Sequence, residues 1–145
     1  MAKIEISENV KLGGNDTGKP RAKRGGRRKI LVVDDEHVIA DTIAAILNAS
    51  GCSAVAAYSG EAALEAIADG VPDLIITDVC MPGMNGIELA IAIRELFPEC
   101  KVLLFSGRSS STHLIEEARA RGYKFDFLSK PVHPRDLLER LKSAA

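Results

Sequence analysis

The stretch LIITDVCMPGMNG, Leu74 to Gly86, decides the fold of this chain. It begins like a buried strand, but it ends on an acid, Asp78, and continues into a turn rich in proline and glycine. One interpretation is an ordinary strand end, with Asp78 as a cap and Pro82 and Gly83 in a common turn. A strand that only filled a core would not need this charge, so the neighbouring segments must decide between an ordinary turn and a functional site.

Short apolar runs alternate with helical patterns on both sides of Asp78. The five runs that predict strands are KILVVDD (Lys29 to Asp35), CSAVAAYS (Cys52 to Ser59), DLIITD (Asp73 to Asp78), CKVLLFSG (Cys100 to Gly107) and FDFLSKP (Phe125 to Pro131). The helices are marked by apolar residues on one face: Ile39, Ile43, Ile46 and Leu47; Leu64, Ile67 and Ala68; the segment GIELAIAIRELF; Leu114, Ile115 and Ala118; and Leu137, Leu138 and Leu141 after Pro134. Strands separated by helices run parallel, and right-handed crossovers place the helices on both faces. The sequence therefore predicts an α/β fold with a five-stranded, doubly wound parallel sheet of flavodoxin-like order 2-1-3-4-5.

Groups capable of chemistry follow four of the five predicted strands. Asp34 and Asp35 end the first strand, Asp78 the third, Ser106 the fourth and Lys130 the fifth. In a parallel sheet these ends share one edge, and the crevice of this strand order opens between strands one and three. The second strand, which lies at the margin of the sheet, contributes no such group. We therefore expect these five side chains to meet in one site.

Length and composition fit one soluble domain. The chain has 145 residues, no Trp, and apolar residues mixed with charges of both signs. No apolar run approaches the roughly 20 residues of a membrane span, and the N-terminus lacks a signal peptide pattern, so we expect a cytoplasmic protein with no membrane contact. Cys52, Cys80 and Cys100 are odd in number and lack CxxC spacing, which predicts buried, reduced thiols.

The charge is distributed unevenly along the chain. Residues 1–29 carry nine basic and three acidic residues, whereas residues 30–145 carry ten basic and seventeen acidic ones. The segment KPRAKRGGRRK has no apolar periodicity, so residues 1–28 are predicted to form a disordered basic tail before a domain at 29–145. An alternative is an arm that clamps nucleic acid, but the segment lacks aromatic residues and a reading helix, so nucleic acid is not the expected partner. Salt-dependent DNA retention that vanished without residues 1–28 would favour the clamp.

The order of these residues resembles the receiver domain of two-component response regulators. The resemblance rests on Asp34 and Asp35, on Asp78 within DVCMPGMNG, on Ser106, and on the pair of Lys130 and Pro131. Each piece occurs by chance, but five placements in order at successive strand ends are specific. The resemblance covers residues 29–145.

The resemblance implies a magnesium site and a phosphoacceptor. Three carboxylates in one crevice repel one another, and hard oxygen ligands favour Mg²⁺. By resemblance, Asp35, Asp78 and the backbone carbonyl of Cys80 coordinate the metal, while Asp34 acts through a bound water. Asp78 is also the nucleophile that accepts a phosphoryl group.

Further roles follow from the same resemblance. Lys130 supplies a cation and Ser106 a hydroxyl to the phosphoryl group, and Phe127 is the switch aromatic, although it lacks a hydroxyl. Cys80 and Arg108 flank the path of the attacking water and bear on the lifetime of the phosphoryl group. The structural alternatives are a helix-capping serine for Ser106 and a solvated surface lysine for Lys130.

Two features depart from the family pattern or lie outside it. The connection from Gly122 to Lys130 is one residue longer than the common spacing, and Tyr123 stands where a small residue is usual, so an altered loop is expected. His37, His113 and His133 are predicted to be surface residues rather than phosphodonors or metal ligands.

The implied function is a phosphorylation-activated switch rather than an enzyme acting on an external substrate. Asp78 would receive its phosphoryl group from a histidine kinase or a histidine phosphotransfer protein, and the change would alter affinity for a downstream protein. A homodimer that forms on phosphorylation is an alternative partner. Only fifteen residues follow Lys130, so no output domain is expected there. The rival interpretation, a magnesium-dependent phosphohydrolase, would usually need a substrate cap and a second acid beside the nucleophile, which are not found in this sequence.

Overall fold

Five strands and five helices alternate along the described part of the chain, as the sequence predicts. The computed structural model describes residues 26–107, 110–131 and 133–143, without the side chains of 110, 111 and 143. The elements are β1 (Lys29–Val33), α1 (His37–Ala49), β2 (Ser53–Ala57), α2 (Gly60–Asp69), β3 (Leu74–Asp78), α3 (Gly86–Leu96), β4 (Lys101–Ser106), α4 (Ser110–Ala120), β5 (Asp126–Ser129) and α5 (Pro134–Ser143). The strands form one parallel sheet of order β2-β1-β3-β4-β5, which confirms the predicted fold class.

Side chains of the strands alternate between two apolar layers. Leu31, Ile75 and Leu104 point to the face that α2, α3 and α4 cover, while Val32, Ile76 and Phe105 point to the face of α1 and α5. All of these strand residues are almost fully buried. Both faces of a parallel sheet are covered in this way, and the carboxyl ends of the strands are held at a single edge.

The buried face of α1 differs from the predicted one. Ile43 and Leu47 are buried as expected, but Ile39 and Ile46 are only half-buried. The small residues Ala40 and Ala44 pack against the sheet instead. The apolar stripe is wider than the contact with the sheet, and its outer part lines a groove beside α5. A similar difference occurs in α2, where Ala68 is exposed.

The connection between α4 and β5 is packed against α3. The Tyr123 hydroxyl donates a hydrogen bond of 2.7 Å to Glu95, and the Arg94 guanidinium lies 4.6 Å from the centre of the Phe125 ring. The Tyr123 amide also donates to the Ala118 carbonyl at 3.0 Å, after the chain turns through Gly122. The large residue at position 123 therefore anchors the loop to the neighbouring helix.

Arg28, the residue before β1, makes contacts with two other elements. Its carbonyl accepts a hydrogen bond of 2.8 Å from the Ser53 amide, and its guanidinium donates at 2.8 Å to the Leu141 carbonyl near the end of α5. Arg28 is thus tied to β2 and α5. Residues 1–25 of the predicted tail lie outside the described residues.

The remaining sequence predictions concern cysteines, histidines and membrane contact. None of the three cysteines forms a disulfide, and Cys100 is buried as predicted, whereas Cys52 and Cys80 are only half-buried. The three histidines are exposed, as predicted for surface residues. Within the described ranges, no helix combines the length and the apolar character of a membrane span.

Candidate functional site

Three carboxylates meet where β1 and β3 end. Asp34, Asp35 and Asp78 each offer an oxygen atom, and these oxygens all lie within 4.8 Å of one another. Asp34 is 0% exposed and Asp78 is 6% exposed, whereas Asp35 is half-buried. The strand register explains the meeting, because Val33 of β1 pairs with Thr77 of β3 and the acids follow directly. A cluster of hard oxygen ligands of this size suits a divalent cation such as Mg²⁺.

Lys130 enters the same crevice from the end of β5. Its Nζ atom lies 3.2 Å from Asp34 Oδ2 and 3.0 Å from Asp78 Oδ1. Its backbone amide donates a hydrogen bond of 2.9 Å to the Ser106 carbonyl, which continues the ladder between β4 and β5. A Cβ atom at Gly107 would lie 2.8 Å from the Cβ of Lys130, so glycine leaves room for this side chain. The alternative interpretation of Lys130 as a solvated surface lysine is wrong.

The described residues of the crevice carry more negative than positive charge. Burial raises the pKa of Asp78; the Lys130 ammonium opposes this rise, but Asp34 and Asp35 add to it, and the pKa stays above its ordinary value. Burial lowers the pKa of Lys130, yet its hydrogen bonds and charge interactions with Asp78 and Asp34 outweigh this effect and leave it raised. Among the described residues of the crevice, one ammonium faces three carboxylates, so a bound cation would relieve the repulsion between them.

The chain after Asp78 is held in a tight turn. The Val79 amide donates to the Phe105 carbonyl at 3.2 Å, and the Gly86 amide donates to the Val79 carbonyl at 2.8 Å. Helix α3 then begins with a capping box, in which Asn85 and Glu88 each accept from the other's backbone amide at 2.9 Å. A Cβ atom at Gly86 would collide with the Asp78 carbonyl. Gly86 thus ends a turn that packs against the backbone of Asp78, and the interpretation of an ordinary surface turn is incomplete.

Residues 30–142 match the family model described as the response regulator receiver domain. The chain belongs to this family. It is 33% identical over 118 residues to the phosphate regulon transcriptional regulatory protein PhoB of Pseudomonas aeruginosa. The match covers 80% of this chain and 51% of PhoB, so the chain spans about half the length of that curated relative.

Solved receiver structures share the fold. The chemotaxis protein CheY4 of Vibrio cholerae aligns with a TM-score of 0.74 and 30% identity, over 83% of this chain and 100% of CheY4. The response regulator TrrA of Thermotoga maritima, solved in complex with Mg²⁺ and BeF, aligns with a TM-score of 0.71 and 30% identity, over 81% of this chain and 99% of TrrA. Receiver domains are regulatory phosphoacceptors of two-component signalling rather than enzymes with an external substrate, and this disfavours the phosphohydrolase alternative.

Two of the remaining predicted residues, Ser106 and Cys80, line the crevice. Ser106 is half-buried at the end of β4. Phe127 is 40% exposed on β5, where it pairs in register with Leu104. Arg108 lies outside the described residues.

Three contacts at the receiver site were not predicted from the sequence. The Glu36 amide donates to Asp34 Oδ1 at 2.9 Å, so both oxygens of Asp34 have protein partners. The Met84 amide lies 3.4 Å from Glu61 Oε2, a long contact that links α2 to the turn after Asp78. The third is the ring of Phe105, which lies beside the Lys130 ammonium. The sequence offered a signal for each of the first two contacts. For the first it was the run of acids Asp34, Asp35 and Glu36, and for the second it was Glu61 at the start of α2.

An apolar groove continues from the crevice of the receiver domain. It has a volume of about 600 Å³ and runs between α1 and α5. Its walls include Ile39, Ile43, Ile46 and Leu137, and its polar end is formed by Asp35, Asp78 and Lys130. The half-buried isoleucines of α1 therefore lie on a surface that leads directly to the acids.

Proposed function

We propose that this receiver domain accepts a phosphoryl group on Asp78, from a histidine kinase or a histidine phosphotransfer protein, and thereby changes its affinity for a protein partner. The observation that carries the proposal is the placement of the Asp78 carboxylate 3.0 Å from the Lys130 ammonium, inside a cluster of three carboxylates at the open edge of the sheet. The Asp78 carboxylate can attack a phosphoryl group, and the nearby Lys130 ammonium can offset the negative charge on the phosphoryl oxygens.

The transfer itself is a substitution at phosphorus. An oxygen of Asp78 forms a bond to phosphorus while the bond from phosphorus to the donor's imidazole nitrogen breaks, and the imidazole leaves with the bonding electron pair. Lys130 is already paired with Asp78 and would move its hydrogen bond to a phosphoryl oxygen. The product is a mixed anhydride, which explains why the modification is expected to be labile.

The acids of the crevice suit a magnesium ion. Asp35, Asp78 and the Cys80 carbonyl would hold Mg²⁺, which would supply positive charge beside the phosphoryl oxygens. Asp34 has both oxygens in contact with protein groups, Lys130 and the Glu36 amide, and this supports a role through a bound water rather than as a direct ligand. The related regulator TrrA was solved in complex with Mg²⁺ and BeF, and this also supports the proposal.

Incubation with a small phosphodonor tests the function. Acetyl phosphate and Mg²⁺ should add one phosphoryl group to the wild-type chain, and intact-mass spectrometry should detect it. Omission of Mg²⁺ or addition of a chelator should prevent the gain. A protein that gains no phosphoryl group under these conditions, or gains it on a histidine, would contradict the assignment of Asp78.

Magnesium is expected to stabilise the folded chain, because the unfolded chain lacks the carboxylate cluster. At ten times the dissociation constant the free energy of unfolding should rise by about 1.4 kcal/mol. Denaturant titration with and without Mg²⁺ measures the gain, which Asp35→Ala should largely remove. Asp69→Ala, a change of the same kind at the exposed end of α2, should leave the gain intact. Equal responses of the two variants would refute the proposed ligand set.

Ser106 is proposed to couple the phosphoryl group to β5. Its hydroxyl would move toward a phosphoryl oxygen, and the partly exposed Phe127 ring would then turn inward. Ser106→Ala should therefore still acquire a phosphoryl group but lose most of the conformational response. Amide chemical shifts with and without beryllofluoride, a mimic of the aspartyl phosphate, measure this response. Wild-type shift changes across residues 125–129 in Ser106→Ala would show that another residue carries the coupling.

A further inference from the structure

Phe105 places an aromatic ring against the cation of the phosphoacceptor site. It is the penultimate residue of β4 and is 3% exposed. Its neighbours in register are Asp78 on β3 and Leu128 on β5. The Nζ atom of Lys130 lies over the ring at 4.8 Å from its centre. The ammonium therefore contacts two carboxylates, those of Asp34 and Asp78, and the face of one aromatic ring.

An aromatic face attracts a cation in a way that an aliphatic side chain does not. The negative face of the ring attracts an ammonium within about 6 Å of its centre, and the attraction grows when water is excluded. The side chain of Lys130 is 20% exposed, so water competes only weakly at this site. Leu103 and Leu104, the preceding residues of the same strand, fill the core without such a contact. Burial alone therefore does not require a phenylalanine at position 105.

We propose that Phe105 is a positioning residue for Lys130, whose ring holds the ammonium beside Asp78 before a phosphoryl group arrives. The inference rests on the proposed role of Asp78 as phosphoacceptor. Lysine has a flexible stem of four carbons, and holding it before transfer reduces the conformational entropy lost when it pairs with the phosphoryl group. A Lys130 side chain that was disordered in solvent would have to be ordered again at each transfer.

Phe105→Leu removes the aromatic face and keeps an apolar side chain in the core. Phosphorylation of this variant by acetyl phosphate should be about fivefold slower than that of the wild type. Phe97→Leu is the matched control, because Phe97 is half-buried against the opposite layer of the core and loses a ring in the same way. Its rate of phosphorylation should stay within about twofold of the wild-type rate.

A double-mutant cycle separates positioning from packing. Unfolding of the wild type, Phe105→Leu, Lys130→Met and the double variant is measured without phosphodonor or metal. The folding equilibrium constants should show coupling of about fivefold between the two positions. Additive effects would overturn the inference, because a purely structural phenylalanine would cost the same with and without Lys130.

The NMR signals of Lys130 give a second readout that does not depend on stability. Its ε-methylene protons should be shifted upfield by the ring in the wild type and in Phe97→Leu, and the shift should vanish in Phe105→Leu. Absence of this shift in the wild type would overturn the inference. If the cycle shows coupling but the wild type gains no phosphoryl group, the proposed function is contradicted, while the contact between the Phe105 ring and the Lys130 ammonium is established.

Discussion

Replacement of Asp78 by asparagine is expected to abolish phosphoryl incorporation. The amide oxygen of asparagine is a far weaker nucleophile than a carboxylate, and the variant should lose at least about a thousandfold in the rate of modification. Asparagine has nearly the same volume, so the packing around a residue that is 6% exposed should be preserved. Intact-mass spectrometry after treatment with acetyl phosphate and Mg²⁺ measures the loss, and circular dichroism confirms that the variant folds.

Asp73→Asn is the matched control for this result. Asp73 immediately precedes β3, at the opposite end from Asp78, and its Oδ2 atom accepts a hydrogen bond of 2.8 Å from the Lys29 amide. Asparagine retains an acceptor for that bond and lies far from the crevice, so phosphorylation should proceed as in the wild type. A phosphoryl group on Asp78→Asn, whether on Asp35 or on a histidine, would show that Asp78 is not the acceptor.

The carboxylate cluster and Lys130 could be predicted because they depend on topology. Parallel strands joined by right-handed crossovers bring every strand end to one edge, so Asp34, Asp78 and Lys130 meet once the strand order is known. A residue that directly follows the carboxyl end of a strand is then expected to lie at this edge, and the sequence shows which residues these are. The second strand ends in no acid or lysine, and the strand order places it at the margin of the sheet beside β1, outside the crevice between β1 and β3.

The contacts around the cluster could not be predicted in the same way. The position of the Lys130 ammonium over Phe105 depends on the rotamer of a long side chain, and an apolar run such as KVLLFS does not distinguish a core ring from one that faces a cation. The hydrogen bond between Tyr123 and Glu95 joins two elements that are distant in sequence, and it depends on how α3 packs beside the connection to β5. Periodicity likewise misjudged the buried face of α1, since Ala40 and Ala44 are buried whereas Ile39 and Ile46 are only half-buried.

Gly86→Ala is expected to cause the largest loss of stability among single changes near the site. The new methyl group would overlap the backbone carbonyl of Asp78, which cannot rotate away as a flexible side chain could. Either α3 must move or the strand end must shift, at a cost of about 3 kcal/mol or more in the free energy of unfolding. Because the displaced backbone belongs to Asp78, the gain in stability on addition of Mg²⁺ should fall as well. Denaturant titration with and without Mg²⁺ measures both effects.

Two other glycines provide a graded comparison for Gly86. A Cβ atom at Gly26 would meet no heavy atom within 4 Å, whereas one at Gly60 would lie 2.9 Å from the sulfur and 3.0 Å from the Cβ and Cγ atoms of the Met84 side chain. The loss of stability should therefore increase from Gly26→Ala to Gly60→Ala to Gly86→Ala, and only the last should also weaken the response to Mg²⁺. A Gly86→Ala variant as stable as Gly26→Ala would mean that α3 does not begin against the backbone of Asp78. The turn after Asp78 would then not position the site.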